Sequence, residues 1–272
     1  MLSVRRLIAA AAFAALGALA QSAAAADKAP PAARPAVVVK PANPWHGVYV
    51  GGGGGWAWGA VDGVAHTDIP KDGQPTALPS EDYFTRFHPT SGLWWAVVGA
   101  DAQHGAAVYG IFADYTSLNN FSGSQTGTNG GCTGTCSKTF SADFDSIITV
   151  AARVGLVHTS NSLFYVLGGW SWAKGSLREF EGCASPCDNL LYSGSVKSDG
   201  YTVGAGVEHL FHPHLSARLE YRFTQLNTGS ISGSCTQTTV PFCGRIYNGT
   251  ASASANVQSI RAALVLRFGG RA

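Results

Sequence analysis

The last strand-like segment of the chain, residues 259–268, sorts its side chains into two incompatible sets. Successive strand residues point to opposite faces. Ile260, Ala262, Leu264, Leu266 and Phe268 therefore make an unbroken apolar face, while Ser259, Arg261, Ala263, Val265 and Arg267 make a face carrying two cations. The first suits hydrocarbon and the second a polar interior. A strand of a soluble sandwich alternates in the same way, so the rest of the chain has to decide between them.

The N-terminus points to export. Arg5 and Arg6 precede an apolar stretch at 7–20 and a small-residue run at 23–26, which together read as a signal peptide over residues 1–26 with cleavage after Ala26. Spanning as a helix takes about 20 apolar residues, and this run has 14. Residues 27–44 hold five prolines among Ala, Val and Lys, the composition of an extended periplasmic linker. Residues 45–268 have no second Pro/Ser-rich boundary and read as one domain, with a short tail at 269–272. Only 12% of residues are charged, against roughly 25% in ordinary soluble domains. A net charge of +2, with no basic run outside the signal, argues against a nucleic-acid partner.

Eight segments have strand character: 46–59, 92–102, 106–116, 140–157, 163–177, 196–210, 214–226 and 254–268. In 214–226, Leu215, Ala217, Leu219, Tyr221 and Phe223 oppose Ser216, Arg218, Glu220, Arg222 and Thr224. In 196–210, Tyr201, Val203, Ala205 and Val207 oppose Thr202, Gly204, Gly206 and Glu208, and in 140–157 the set from Phe144 through Ile148 and Val150 to Leu156 opposes Asp143, Asp145, Thr149 and Arg153. The links near 102–106, 157–163 and 210–214 are short, whereas 60–91, 117–139, 178–195 and 227–253 are long and rich in Gly, Ser, Thr and Asn. Short periplasmic turns alternating with long outer loops, and aromatic residues near strand ends (Trp45, Trp56, Trp58, Trp94, Trp95, Tyr115, Trp170, Trp172, Tyr201, Phe223), predict an all-β, eight-stranded antiparallel up-and-down transmembrane barrel in the outer membrane. The five-glycine run at 51–55 weakens the first strand unless the backbone there needs close approach or strong curvature.

The opening Trp45-His46-Gly47-Val48-Tyr49-Val50-Gly51-Gly52 resembles the W-x-G-x-Y-x-G-G first strand of the small alphaproteobacterial outer-membrane porins, within the opacity-protein and OmpA-like barrel superfamily. The likeness recurs at 109–114, at 164–169 and from 204 to 221. It implies an eight-stranded barrel and a role as a surface structural protein, with solute passage or hemin capture as the other roles in that family. Phe112 stands where the family usually places an acidic lumen residue, and Phe268 is followed by four residues where members tend to end on the aromatic.

The inward charges expected to form a network are Asp101, Asp114, Asp143, Asp145, Arg153, Glu208, Arg218, Glu220, Arg222, Arg261 and Arg267. An eight-stranded barrel is only wide enough for side chains to fill it, so mixed-sign charges that pair across it predict a plugged lumen. The six cysteines fall two to a loop, and an even count in an exported chain points to disulfides, most simply Cys132–Cys136, Cys183–Cys187 and Cys235–Cys243. His209, His212 and His214 lack a nearby thiol or carboxylate partner for a metal. His158-Thr159-Ser160 falls at a periplasmic turn, and His66 and His88 lack a serine partner, so no catalytic constellation is expected. The expected role is non-enzymatic and needs no cofactor. The expected partners are outer-membrane lipid and lipopolysaccharide, the barrel assembly machinery during biogenesis, and an exterior ligand that the generic loop composition does not name.

Overall fold

The computed structural model describes residues 43–68, 81–129, 136–183, 190–236 and 246–269. The expected signal peptide, nearly all of the linker, and the tail beyond Gly269 lie outside them. Nine antiparallel strands form one sheet: β1 (Gly47–Asp68), β2 (Glu81–Phe87), β3 (Thr90–His104), β4 (Ala107–Asn129), β5 (Cys136–Thr159), β6 (Ser162–Cys183), β7 (Leu190–His212), β8 (Leu215–Thr236) and β9 (Ile246–Phe268). Pairing of β1 with β9 from Val48↔Phe268 to Asp68↔Asn248 closes the sheet into a ring. In the half nearest the two-residue turns every strand is paired on both sides, the requirement for any sheet standing in lipid, whereas further out the ladders between β2 and β4 and between β7 and β8 are open.

The strand count is nine where eight were expected. The extra strand, β2, lies inside the expected 60–91 loop and pairs with the outer half of β1 (Val61↔Phe87 to Thr67↔Glu81), while β3 pairs with its inner half (Gly47↔Asp101 to Trp58↔Thr90). The two lie end to end along one side of β1, interrupted at His88 and Pro89, where proline offers no N–H to the ladder. The ring thus has eight staves, one of them broken.

The strands also run far beyond their expected ends. Most have 22–24 residues, whereas a tilted strand crosses the hydrocarbon with about 9–11. At about 3.3 Å per residue, each reaches some 75 Å along its axis. Much of the sequence expected as outer loop is therefore strand. The inner links are two-residue turns, with Gly105 in the first at φ +60°.

The lipid-facing band occupies the half of the barrel nearest these turns. Val48, Val50, Val98, Ile111, Val150, Val154, Val166, Val203, Leu219, Leu264 and Leu266 all point outward and are exposed on the isolated chain. Trp56, Trp94, Tyr115, Trp170, Trp172, Tyr201 and Tyr221 border the band on its outer side, and Tyr109, Phe164, Phe211 and Phe268 border it on the turn side. These are two interfacial aromatic belts. Trp45 and Trp95 are exceptions to the expected girdle: both are fully enclosed in the barrel.

The glycine run is explained by closeness. A Cβ on Gly53 would stand 1.8 Å from the carbonyl oxygen of Ala262, and one on Gly55 would stand 2.2 Å from that of Ile260. Only glycine lets β1 curl this tightly against β9, beside the Trp95 indole that donates to the Ala262 carbonyl at 3.3 Å.

Candidate functional site

Alternation carries one side chain in every two into the interior, and in the membrane half these include the charged ones, packed among aromatic and aliphatic residues such as Tyr49, Trp95, Leu163 and Val265. Nine of the eleven expected network residues meet there: Asp101, Asp114, Arg153, Glu208, Arg218, Glu220, Arg222, Arg261 and Arg267 are all at most 5% exposed. Asp143 and Asp145 are the correction. A β-bulge between Phe144 and Ser146 adds one residue against β6, so the strand changes phase. Phe144 turns inward, Asp143 sits in the outer wall beside Ser176, and Asp145 is exposed.

The network has two tiers. Nearest the turns, Glu208 on β7 accepts from three arginines: Arg153 at 3.0 Å, Arg218 at 2.9 Å and Arg267 at 2.9 Å, with Ser216 Oγ donating at 2.6 Å. Asp101 accepts a forked pair from Arg153 and a further bond from Arg267 at 3.0 Å. Tyr49 and Tyr165 pack their ring faces on the guanidinium groups of Arg153 and Arg218, 4.7–5.8 Å from centroid to guanidinium carbon. Trp45 lies under Arg267 at the turn-side mouth, centroid distance 4.7 Å.

One tier further out, Asp114 on β4 takes Arg222 Nη1 at 2.6 Å and Thr116 Oγ1 at 3.3 Å, and Arg261 approaches it to 3.4 Å. Glu220 bonds Arg222 and accepts from the Tyr165 hydroxyl at 2.8 Å. β4 and β8 are four staves apart in a ring of eight, so the Arg222–Asp114 pair crosses the full lumen. Phe112, in the family's usual acidic position, lies 5.3 Å from the Arg222 guanidinium and turns a charge site into an apolar shelf for it. Beyond this tier a chain of hydroxyls runs Thr149–Ser171–Thr202–Thr224 with spacings of 2.9, 2.5 and 2.8 Å.

Past the hydroxyl chain the interior becomes mainly apolar. Ile147, Phe144, Phe140, Phe121, Leu177, Val61, Leu226 and the alanines at 251, 253 and 255 fill it, with Lys138, Glu179 and Tyr192 among them. Among the described residues, most of the side chains that face inward in both halves are buried.

The other candidates do not converge. His209 bonds Ser162 Oγ at 2.9 Å, while His214 Nδ1 lies 3.0 Å from the Arg267 carbonyl. His158 packs edge-on to Phe164, in the turn region at the opposite end of the barrel from His66. Among the described residues no group of three or more His, Cys, Asp or Glu is arranged to hold a metal. Cys132, Cys187 and Cys243 lie outside the described residues, as do the side chains of Cys136, Cys183 and Cys235. The backbone register sets Cys136 opposite Cys183.

Tyr49 and Tyr165 are interior residues that the sequence did not mark as inward, and Trp45 and Trp95, expected in the girdle, join them there. Each sits in a segment with apolar residues on both faces, so only its phase against Val48 and Val50, Phe164 and Val166, or Trp94 marks it as inward.

A ring closed by β1 and β9, a lipid-facing band between aromatic belts, and a charged interior define an integral outer-membrane β-barrel. The chain belongs to the outer membrane protein beta-barrel domain family, whose model matches residues 11–268. No curated protein matches it. Among solved structures it is similar to the outer membrane protease OmpT from Escherichia coli (10% identity, TM-score 0.49, covering 84% of this chain and 98% of that one). It is also similar to OprG from Pseudomonas aeruginosa (11%, 0.35, 82% and 97%) and to the attachment invasion locus protein Ail of Yersinia pestis (12%, 0.29, 78% and 99%). At such identities and TM-scores none of the three speaks to activity.

Proposed function

We propose that this protein is a non-enzymatic outer-membrane barrel with a closed lumen, which anchors in the bilayer and presents its long outer half at the cell surface. The observation carrying this reading is the pair of cross-lumen tiers, above all Arg222 bonded to Asp114 from the opposite stave. A pore of this size would need that cross-section free, and here it is occupied by five arginines, four carboxylates and their aromatic supports.

Planar-bilayer recording tests it. The wild-type barrel gives little or no steady conductance, while Glu220→Ala combined with Arg222→Ala removes bulk and charge and raises it. A large, stable open-state current from the unmodified protein would overturn this reading in favour of solute passage.

A further inference from the structure

Just outside the outer aromatic belt, Lys174 on β6 and Lys197 on β7 are direct cross-strand partners. Both side chains are on the exposed outer wall. Like charges directly opposite one another destabilise a strand pair, and among the described residues neither lysine makes an ion pair or hydrogen bond. The carboxylates in reach are Asp199, which accepts from the Trp170 indole at 3.0 Å, and Asp145 on the β5 bulge. Asp143, opposite Ser176, stands one outward-facing position further out, and Arg178 two.

The lysines share a shallow hollow of about 210 Å³ with Trp172, Ala173, Ser198 and Asp199. Trp170, Trp172 and Tyr201 mark the level of the interface. The two ammonium groups leave the wall one outward-facing position, about 7 Å of strand, beyond Trp172 and Asp199. That is the depth of lipid phosphates, and lysine stems can lie on the belt while their heads reach it. Strong donors are thus paired, unneutralised by an ion pair, and held where an anionic headgroup sits.

We infer that Lys174 and Lys197 form a binding site for the phosphate of an outer-leaflet lipid, the diphosphorylated lipid A moiety of lipopolysaccharide, seated in the hollow beside Trp172. One phosphate takes both ammonium groups and removes the repulsion between them, while the acyl chains run down the Val166 and Val203 face. The assignment uses the orientation of the barrel and is independent of whether the lumen conducts.

Folded protein in detergent, titrated with diphosphoryl lipid A and followed by tryptophan fluorescence and by native mass spectrometry, tests it. The Lys174→Gln/Lys197→Gln variant binds at least tenfold more weakly than wild type, and the two bind dephosphorylated lipid A alike. Arg86→Gln, which removes an exposed cation paired with Asp62 on the same wall, leaves affinity unchanged. The single lysine variants, each retaining one ammonium, show intermediate weakening and carry the comparison if the double variant does not assemble. Equal lipid A affinity for wild type and lysine variants overturns the site. Displacement of lipid A by an equal concentration of inorganic phosphate overturns the lipid as its source.

Discussion

The membrane half and the protruding half are built on the same staves with opposite polarity. On β9, Ile260, Leu264 and Leu266 face outward and Arg261 and Arg267 face inward; a few residues earlier Thr250, Ser252, Ser254 and Asn256 face outward while Ala251, Ala253, Ala255 and Val257 face inward. The backbone continues without a break, so the inversion belongs entirely to the side chains. Where lipid surrounds the wall, the hydrophobic effect has nothing to gain by filling the interior with hydrocarbon, and charged pairs hold the centre. Where water surrounds the wall, burial of apolar area again drives packing, and the interior resembles that of a soluble protein. The outer half is thus a small soluble-type core standing on a membrane anchor.

Glu208→Ala is expected to show the largest effect. It leaves Arg153, Arg218 and Arg267 crowded at the turn-side tier with Asp101 as the remaining carboxylate. Removing one partner from a buried charge cluster costs about 3–5 kcal/mol. Urea unfolding from vesicles, followed by tryptophan fluorescence, measures it. A cost under about 1 kcal/mol would mean that the membrane half does not depend on its charges, and the contrast between the halves would collapse.

The outward faces supply the next test. Leu264→Arg puts a cation in the lipid-facing band and is expected to cost about 2–4 kcal/mol near the midplane. Ser254→Arg, on the same outward face of the same strand but beyond the belt, is expected to stay within about 0.5 kcal/mol. The ratio of folded to unfolded forms by heat-modifiable gel mobility, in the same vesicles, compares them. Equal costs would show that the band does not end at the belt.

The ring, the short turns and the inward charges of the last three strands were legible because apolar-out, polar-in alternation is unambiguous where one face is Val, Leu and Ile and the other Arg and Glu. The outer half was not. Many of its outward residues are Ser, Thr and Asn, the composition of loops, and its inward residues include small ones such as Ala251, Ala253 and Ala255, so the alternation is present but faint. β2 was hidden for a different reason: its seven residues carry aromatics on both faces and end just before Pro89. The charge site was legible in nine residues and misread in two, because a bulge is a one-residue insertion that leaves no mark in composition. Asn120, at φ 62°, marks the matching irregularity on β4 between Ser117 and Phe121.

That bulge leads to the smallest expected effect. Asp143 is set in the outer wall above the belt, where partial burial, and next the nearby Asp145, push its carboxyl above the ordinary range. A carboxylic acid whose pKa is higher folded than unfolded binds its proton more tightly in the folded state, so stability from this group rises as pH falls through the folded pKa and is lost above it. At neutral pH Asp143 is therefore a mild liability of the outer half. Asp143→Asn should raise the urea midpoint slightly at pH 7, and the gain should fade as the pH is lowered into the range where wild-type Asp143 becomes protonated. An inward Asp143 paired with the lumen arginines would reverse the sign, because Asn would then remove a stabilising partner at pH 7. The direction of this shift, more than its size, reports which side of the wall the bulge has assigned to residue 143.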